Sequence, residues 1–154
     1  MSRSERRAIA AISMCKGVNL NLRRHYQDLP GRREIKRKIE KLSEACEAAF
    51  LEFQGQLNAR DVQKLQIKLE KVETECFGEV DGQEQCVVTM LSLCQGIVSD
   101  IYDQTRHSMR RAVLDGLLGV LWSMHKYFDR GLNRWTAYET ATRGIAVWEQ
   151  EMAA

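Results

Sequence analysis

Proline is nearly absent from this sequence: Pro30 is the single one among 154 residues. An all-β domain reverses its chain every few residues, and those reversals draw on proline and other turn formers, so a sandwich or barrel is excluded. Long apolar runs are missing too. The most apolar window, 112–124, falls short of the roughly 20 residues a bilayer-spanning helix needs, and Asp115 interrupts it. The chain begins Met1-Ser2-Arg3-Ser4-Glu5-Arg6-Arg7 and gives only a short apolar run over 8–14, without a cleavage-site pattern. These absences predict a protein of the cytoplasm with no membrane span and no secretory leader.

A disulfide framework is lacking as well. The cysteines are Cys15, Cys46, Cys76, Cys86 and Cys94, an odd number with no Cys-x-x-Cys pair. A chain of this length buries enough surface to fold without staples. The five are therefore expected to be thiols in a reducing compartment, buried as small hydrophobes. No Gly-x-Ser-x-Gly, His-Glu-x-x-His, P-loop or dinucleotide fingerprint occurs. His25 and His125 have no evident partners along the chain. The expectation is a non-enzyme that requires no cofactor.

What is abundant is helix-forming. Hydrophobic residues make up 44% and charged residues 29% of the chain, a globular balance carried by Ala, Leu, Glu, Lys, Arg and Gln. The reading is all-α: one domain over 1–154, a helical bundle of five to six helices with a long antiparallel helical hairpin. Its parts are a basic N-terminal segment with a short helix (1–31), the hairpin (32–77) and the C-terminal helices (80–152). The first helix is expected over 4–16, where Ile9, Ile12 and Cys15 recur every three residues and Gly17 is the stop. Over 18–29 two readings stay open. Val18, Leu20 and Leu22 alternate as in a strand, whereas Leu22, Tyr26 and Leu29 fit a helix; Pro30-Gly31 then turns the chain.

Ile35, Ile39, Leu42, Cys46, Ala49 and Phe53 form a heptad stripe that predicts a helix over 33–54. Asn58 caps a third helix whose stripe is Val62, Leu65, Leu69, Val72 and Cys76. The short connection between them makes the hairpin. Asp81 and Glu84 open a fourth helix, with Val87, Met90, Leu91, Cys94, Ile97, Val98 and Ile101 inward and a break over 103–108. A fifth helix over 109–128 carries Val113, Leu114, Leu117, Leu118, Leu121 and Met124, a face wide enough to suggest the middle of the bundle. Gly116 and Gly119 lie on one side of it and would admit another helix closely. After a loop over 129–133, a last helix over 134–152 places Trp135, Tyr138, Ile145 and Trp148 roughly on one face.

Charge is unevenly spread. Residues 1–41 hold 12 Lys and Arg against 4 Asp and Glu, a net of +8; residues 42–154 hold 11 against 17, a net of −6. Arg23, Arg24, Arg32, Arg33, Lys36 and Arg37, with Lys38 and Lys41, could release counterions from a nucleic-acid backbone, with Tyr26 near enough to stack on a base. The competing reading makes them the solvated face of a helix that docks on an acidic partner or a second copy. Trp122, Trp135, Tyr138 and Trp148 are residue types that close cores or anchor interfaces.

Glu44 and Glu47, with Glu70 and Glu73, form two Glu-x-x-Glu pairs. Their spacing resembles the motif of the all-α nucleotide pyrophosphohydrolases, which implies a divalent-metal-dependent hydrolase. That family has Asp where this chain has Glu73, and at about 100° per residue Glu44 points away from the Cys46 stripe, toward solvent. Asp100, Asp103 and His107 likewise fall opposite the Ile97–Ile101 stripe.

Taken together, the reading is a non-catalytic helical interaction protein, a regulator, inhibitor or assembly factor of the kind phages and mobile elements carry as accessory proteins. Trp135, Tyr138 and Trp148 are its candidate partner-binding residues, and a homo-oligomer is one form of partnership. The alternative is a nucleic-acid-binding module using 23–41.

Overall fold

A computed structural model of the chain describes residues 3–26, 33–53, 60, 63, 64, 67, 71, 83–128 and 134–153. Among these residues everything is helical except a link at 105–107. The protein is an all-α bundle, and the long helices are α1 (Arg3–Tyr26), α2 (Arg33–Phe53), α3 (Gln83–Gln104), α4 (Ser108–Phe128) and α5 (Arg134–Ala153).

The first helix is longer than its sequence suggested. It passes through Gly17 and ends at Tyr26. A helix-interior glycine costs about 1 kcal/mol. Beyond it Val18, Leu22 and Tyr26 are buried on one face, and burying side chains of that size is worth about 1.5–3 kcal/mol each, so the helix continues. The strand alternative at Val18, Leu20 and Leu22 fails at its middle member, because Leu20 is half exposed. In α2 the buried residues are Ile35, Ile39, Leu42, Cys46, Ala49 and Phe53, the heptad stripe itself.

Neighbouring helices α1, α2, α4 and α3 follow one another round the bundle, and α5 packs on the outside of α3. Cross-helix contacts fix the directions. Lys16 lies over Phe50 and Asn19 Nδ2 donates to the Ile39 carbonyl at 3.2 Å, so α1 and α2 run antiparallel. Lys38 meets Ser123 while Arg110 lies over Phe53, which makes α2 and α4 antiparallel. Gln95 meets His125 while Arg111 meets Tyr102, which does the same for α3 and α4.

The centre of the bundle is not α4, as its wide apolar face suggested, but α1 together with α3. Ala8, Ile9, Ala10, Ala11 and Ile12 are all buried; five consecutive residues cover every side of a helix, so this stretch of α1 is enclosed all round. On α4 full burial is confined to Leu114, Leu117, Leu121, Met124 and Phe128. The opposite face, with Asp115, Gly116, Gly119 and Trp122, is exposed.

The break before α4 is held from the far side. Thr105 Oγ1 donates back to the Ile101 carbonyl at 2.7 Å. One guanidinium nitrogen of Arg111 donates to the carbonyls of Tyr102 (3.0 Å) and Thr105 (2.9 Å). The Tyr102 carbonyl also accepts the Thr105 backbone N–H at 3.2 Å, and Thr105 lies just past the end of α3, where backbone carbonyls run out of helical partners.

Arg60, Gln63, Lys64, Ile67 and Lys71 are helical and exposed. Their spacing puts them opposite the stripe expected for the third helix. That stripe, the Asn58 cap and the loops around 30, 80 and 131 lie outside the described residues, so the hairpin as a whole does too. Among the described residues no helix is long and apolar enough to cross a membrane.

Candidate partner-binding surface

The outward face of α4 and the adjoining flank of α2 enclose an open groove of about 390 Å³. The α2 wall is charged: Glu34, Arg37, Lys38 and Lys41. These positions, spaced i, i+3, i+4 and i+7, form one strip beside the buried heptad stripe. The α4 wall is small and nearly neutral: Gly116, Gly119, Val120 and Ser123. Lys38 Nζ donates to Ser123 Oγ at 2.5 Å and ties the two walls together.

Gly116 and Gly119 carry nothing within 4 Å of the position a Cβ would take. Gly96 on α3 is different, since a Cβ there would stand 2.6 Å from Ile145 Cδ1. The close helix approach expected over Gly116 and Gly119 is therefore not made by the described residues. It occurs instead at Gly96, where α5 docks. About 60° round α4 from Gly119, on the side away from α2, stands Trp122. It is 55% exposed, with the Lys126 ammonium 4.5 Å from its ring centre. The glycines thus form a shelf with cations along one edge and an indole along the other.

The candidate residues from the sequence separate on this map. Arg23 and Arg24 are exposed in the last turns of α1, and Arg33, Lys36 and Arg37 are exposed in the first turns of α2. The antiparallel pairing brings both groups to one end of the bundle. Arg32 lies outside the described residues. Tyr26 is buried and packs its ring 5.4 Å from that of Phe128, which removes it as a base-stacking platform.

Trp148 is 1% exposed, so it is corrected from a surface anchor to a core residue. The Arg7 guanidinium covers its ring at 5.1 Å. The side chains of Trp135 and Tyr138 lie outside the described residues. Of the two described aromatics of that set, Trp122 is at the surface and Trp148 is in the core.

Glu44 and Glu47 are exposed on the outside of α2, and Glu70 and Glu73 lie outside the described residues. Among the described residues, no three His, Cys, Asp or Glu side chains gather as a metal set would. Asp100 and Asp103 are exposed; Asp100 pairs with Arg7 at 3.6 Å. His107 opens α4, its carbonyl accepting from the Arg111 backbone N–H at 2.9 Å.

His125 does have partners. Its Nδ1 stands 2.7 Å from Gln95 Oε1, which makes Nδ1 the protonated, donating nitrogen; Nε2 faces Ser92 Oγ at 3.5 Å. Both come from α3, about thirty residues earlier, so no local pattern announces them.

Three cysteines, Cys15, Cys46 and Cys94, are buried and free, one on each of α1, α2 and α3. A hydrogen bond to Cys94, together with burial, raises the Cys15 thiol well above its ordinary pKa. Burial, and the neighbouring Cys15, raise Cys46. Both remain neutral thiols, poor nucleophiles and poor metal ligands.

Comparison with protein-family models, with curated proteins and with solved structures gives no match.

Proposed function

We propose that the protein is a non-catalytic helical interaction protein, a regulator, inhibitor or assembly factor, that binds a protein partner through the outer face of α4 and the adjoining flank of α2. The observation that carries this reading is Trp122, 55% exposed beside a groove at whose glycines an added Cβ would meet none of the described residues. Tryptophan is enriched among interface residues whose truncation costs most.

The test replaces Trp122 with a photo-crosslinking amino acid in the protein expressed in its own cells. Protein adducts that disappear when Gly119→Leu fills the shelf support the reading. Adducts that survive that substitution, or none at all, overturn it.

A second reading keeps one observation in its favour. Arg23, Arg24, Arg33, Lys36 and Arg37 are all exposed at one end of the bundle, as a nucleic-acid-binding patch requires. It predicts that light scattering on a sizing column records a mass increase with duplex DNA at low salt. The increase should vanish as salt rises and in the variant with Arg23, Arg24, Arg33, Lys36 and Arg37 all changed to Ala.

A further inference from the structure

We infer that the groove between α2 and α4 receives an acidic α-helix of a partner protein, laid along the glycine shelf with its carboxylates against Arg37, Lys38 and Lys41. The inference rests on the protein-binding reading above and names the chemistry of the partner.

Shape points to a helix. Two packed helices leave a furrow along their seam, and a third helix fits such a furrow by ridge-into-groove packing. Close approach of its backbone needs small residues beneath it, spaced so that they share a face. Gly116 and Gly119, three apart, satisfy that condition, and a Cβ at either would enter open space. Glycine in the middle of an exposed helix weakens it, and among the described residues nothing packs where a side chain at either position would go. Gly96 shows the alternative within the same molecule: there Ile145 from α5 occupies the space. An occupant from outside the chain gives Gly116 and Gly119 the role that α5 gives Gly96.

Charge sets the partner's composition. The groove is lined by three cations, Arg37, Lys38 and Lys41, against one carboxylate, Glu34. Burying that wall under a neutral or basic helix would strand the cations without partners, whereas carboxylates spaced i, i+3 or i+4 would meet them in register. The opposite edge argues against a nucleic-acid backbone. A phosphate track wants an unbroken run of cations, but here the far edge is the Trp122 indole with a single cation, Lys126, over its ring and the exposed carboxylate Asp115 beside it. An amphipathic helix matches the pair of edges, with acids toward α2, small residues over the glycines and one large apolar side chain against Trp122.

The probe is a dye-labelled synthetic helical peptide of roughly 20 residues, about 30 Å long. It carries Glu on one flank, an Ala seam and a Leu facing the indole, and it is titrated into the intact protein by fluorescence anisotropy. The control peptide has every Glu replaced by Lys. The expected result is saturable binding of the Glu peptide, at least tenfold tighter than the Lys peptide. Binding should weaken tenfold or more in Gly119→Leu, in Trp122→Ala and in the Arg37→Glu, Lys41→Glu pair. All of these positions are at the surface, so circular dichroism and Tm should show the fold intact.

Three results overturn the inference: no binding of the Glu peptide; binding that ignores Gly119→Leu and the charge reversal; or equal binding of the Lys peptide. Two more put a different occupant in the groove and overturn it equally. One is a dimer by light scattering that Gly119→Leu dissolves. The other is a 20-base-pair duplex that displaces the peptide and itself requires Gly119. A Trp122 crosslink to a protein without acidic-helix binding sinks this inference alone, while the absence of any crosslink sinks the protein-binding reading as well.

Discussion

Arg7 covers the ring of Trp148, with its guanidinium 5.1 Å from the ring centre, and so joins the start of α1 to the end of α5. The same guanidinium grips Glu149 through a single nitrogen, at 2.7 and 2.8 Å from the two carboxylate oxygens. Arg7 is largely buried while Glu149 is 43% exposed at its side chain, so the ion pair itself is partly screened and contributes modestly. The stacking and the packing of the arginine stem over the indole add to it. Arg7→Ala should therefore lower the unfolding free energy by about 1–2 kcal/mol, and Glu149→Gln by less. Urea unfolding followed by the fluorescence of the buried Trp148 checks both. Equal losses in the two variants would mean that the ion pair, and not the stacking, dominates.

At the α3–α4 corner Arg111 does related work. Its guanidinium donates to two carbonyls at the end of α3 and stacks on Tyr102 at 4.0 Å. Lysine offers a point charge without the planar face. Arg111→Lys should cost about 1 kcal/mol, and Arg111→Ala about 2 kcal/mol. The two should also differ in amide hydrogen exchange, with protection lost locally at the end of α3 and the start of α4.

Buried thiols give the protein an alkaline limit. Cys15 and Cys46 have their pKa raised in the folded state, Cys15 by the hydrogen bond to Cys94 and by burial, Cys46 by burial. In the unfolded chain a thiol ionises near pH 8.5. Below that pH both states hold the proton and stability is unaffected. Above it the unfolded chain loses protons that the folded one keeps, so stability falls by about 1.4 kcal/mol per pH unit for each thiol. The difference between wild type and a Cys15→Ala, Cys46→Ala variant isolates this from lysine and tyrosine titration. The variant should be weaker at pH 7, from lost packing, and should lose less stability between pH 8.5 and 10. Parallel curves would refute the assignment.

How much of this was legible in the sequence follows from how local each feature is. The α2 stripe and the helix boundaries around the 105–107 link were readable because hydrophobic period and breaks are properties of adjacent residues. Gly17 misled because it reads as a stop, so the helical spacing of Leu22 and Tyr26 beyond it suggests a separate short element and not the continuation of α1. The width of the α4 face misled because partly buried Val113 and Leu118 at its margins look the same in sequence as fully buried residues. Trp148 and Trp122 could not be told apart by type; each carries a cation over its ring, and only tertiary burial separates the core indole from the displayed one. The groove was half legible. Its cations and its glycines were each visible, but they lie some eighty residues apart, and only the antiparallel α2–α4 pairing makes them facing walls.

The glycines of α3 and α4 provide a direct measurement of that distinction. Replacing an exposed helix-interior glycine by alanine stabilises a helix by about 0.5–1 kcal/mol when the new methyl meets nothing. Gly116→Ala and Gly119→Ala satisfy that condition, with open space at both Cβ positions. Each should raise Tm by a few degrees, and the two together should add, because neither methyl touches a neighbour. At Gly96 the gain in propensity is opposed by Ile145 Cδ1, 2.6 Å from the new atom. That methyl is the end of a flexible side chain, so Gly96→Ala should be near neutral, while Gly96→Leu should push α5 off α3 and destabilise by several kcal/mol. Thermal unfolding of the four single variants and the Gly116→Ala, Gly119→Ala double reads the whole pattern. Stabilisation at Gly116 and Gly119 would mean that the chain gives up stability at the surface where a partner is proposed to sit, the relation expected where a site and a fold compete for the same residues. Destabilisation there would mean that the two glycines serve the fold, and the groove would lose its claim as a docking shelf.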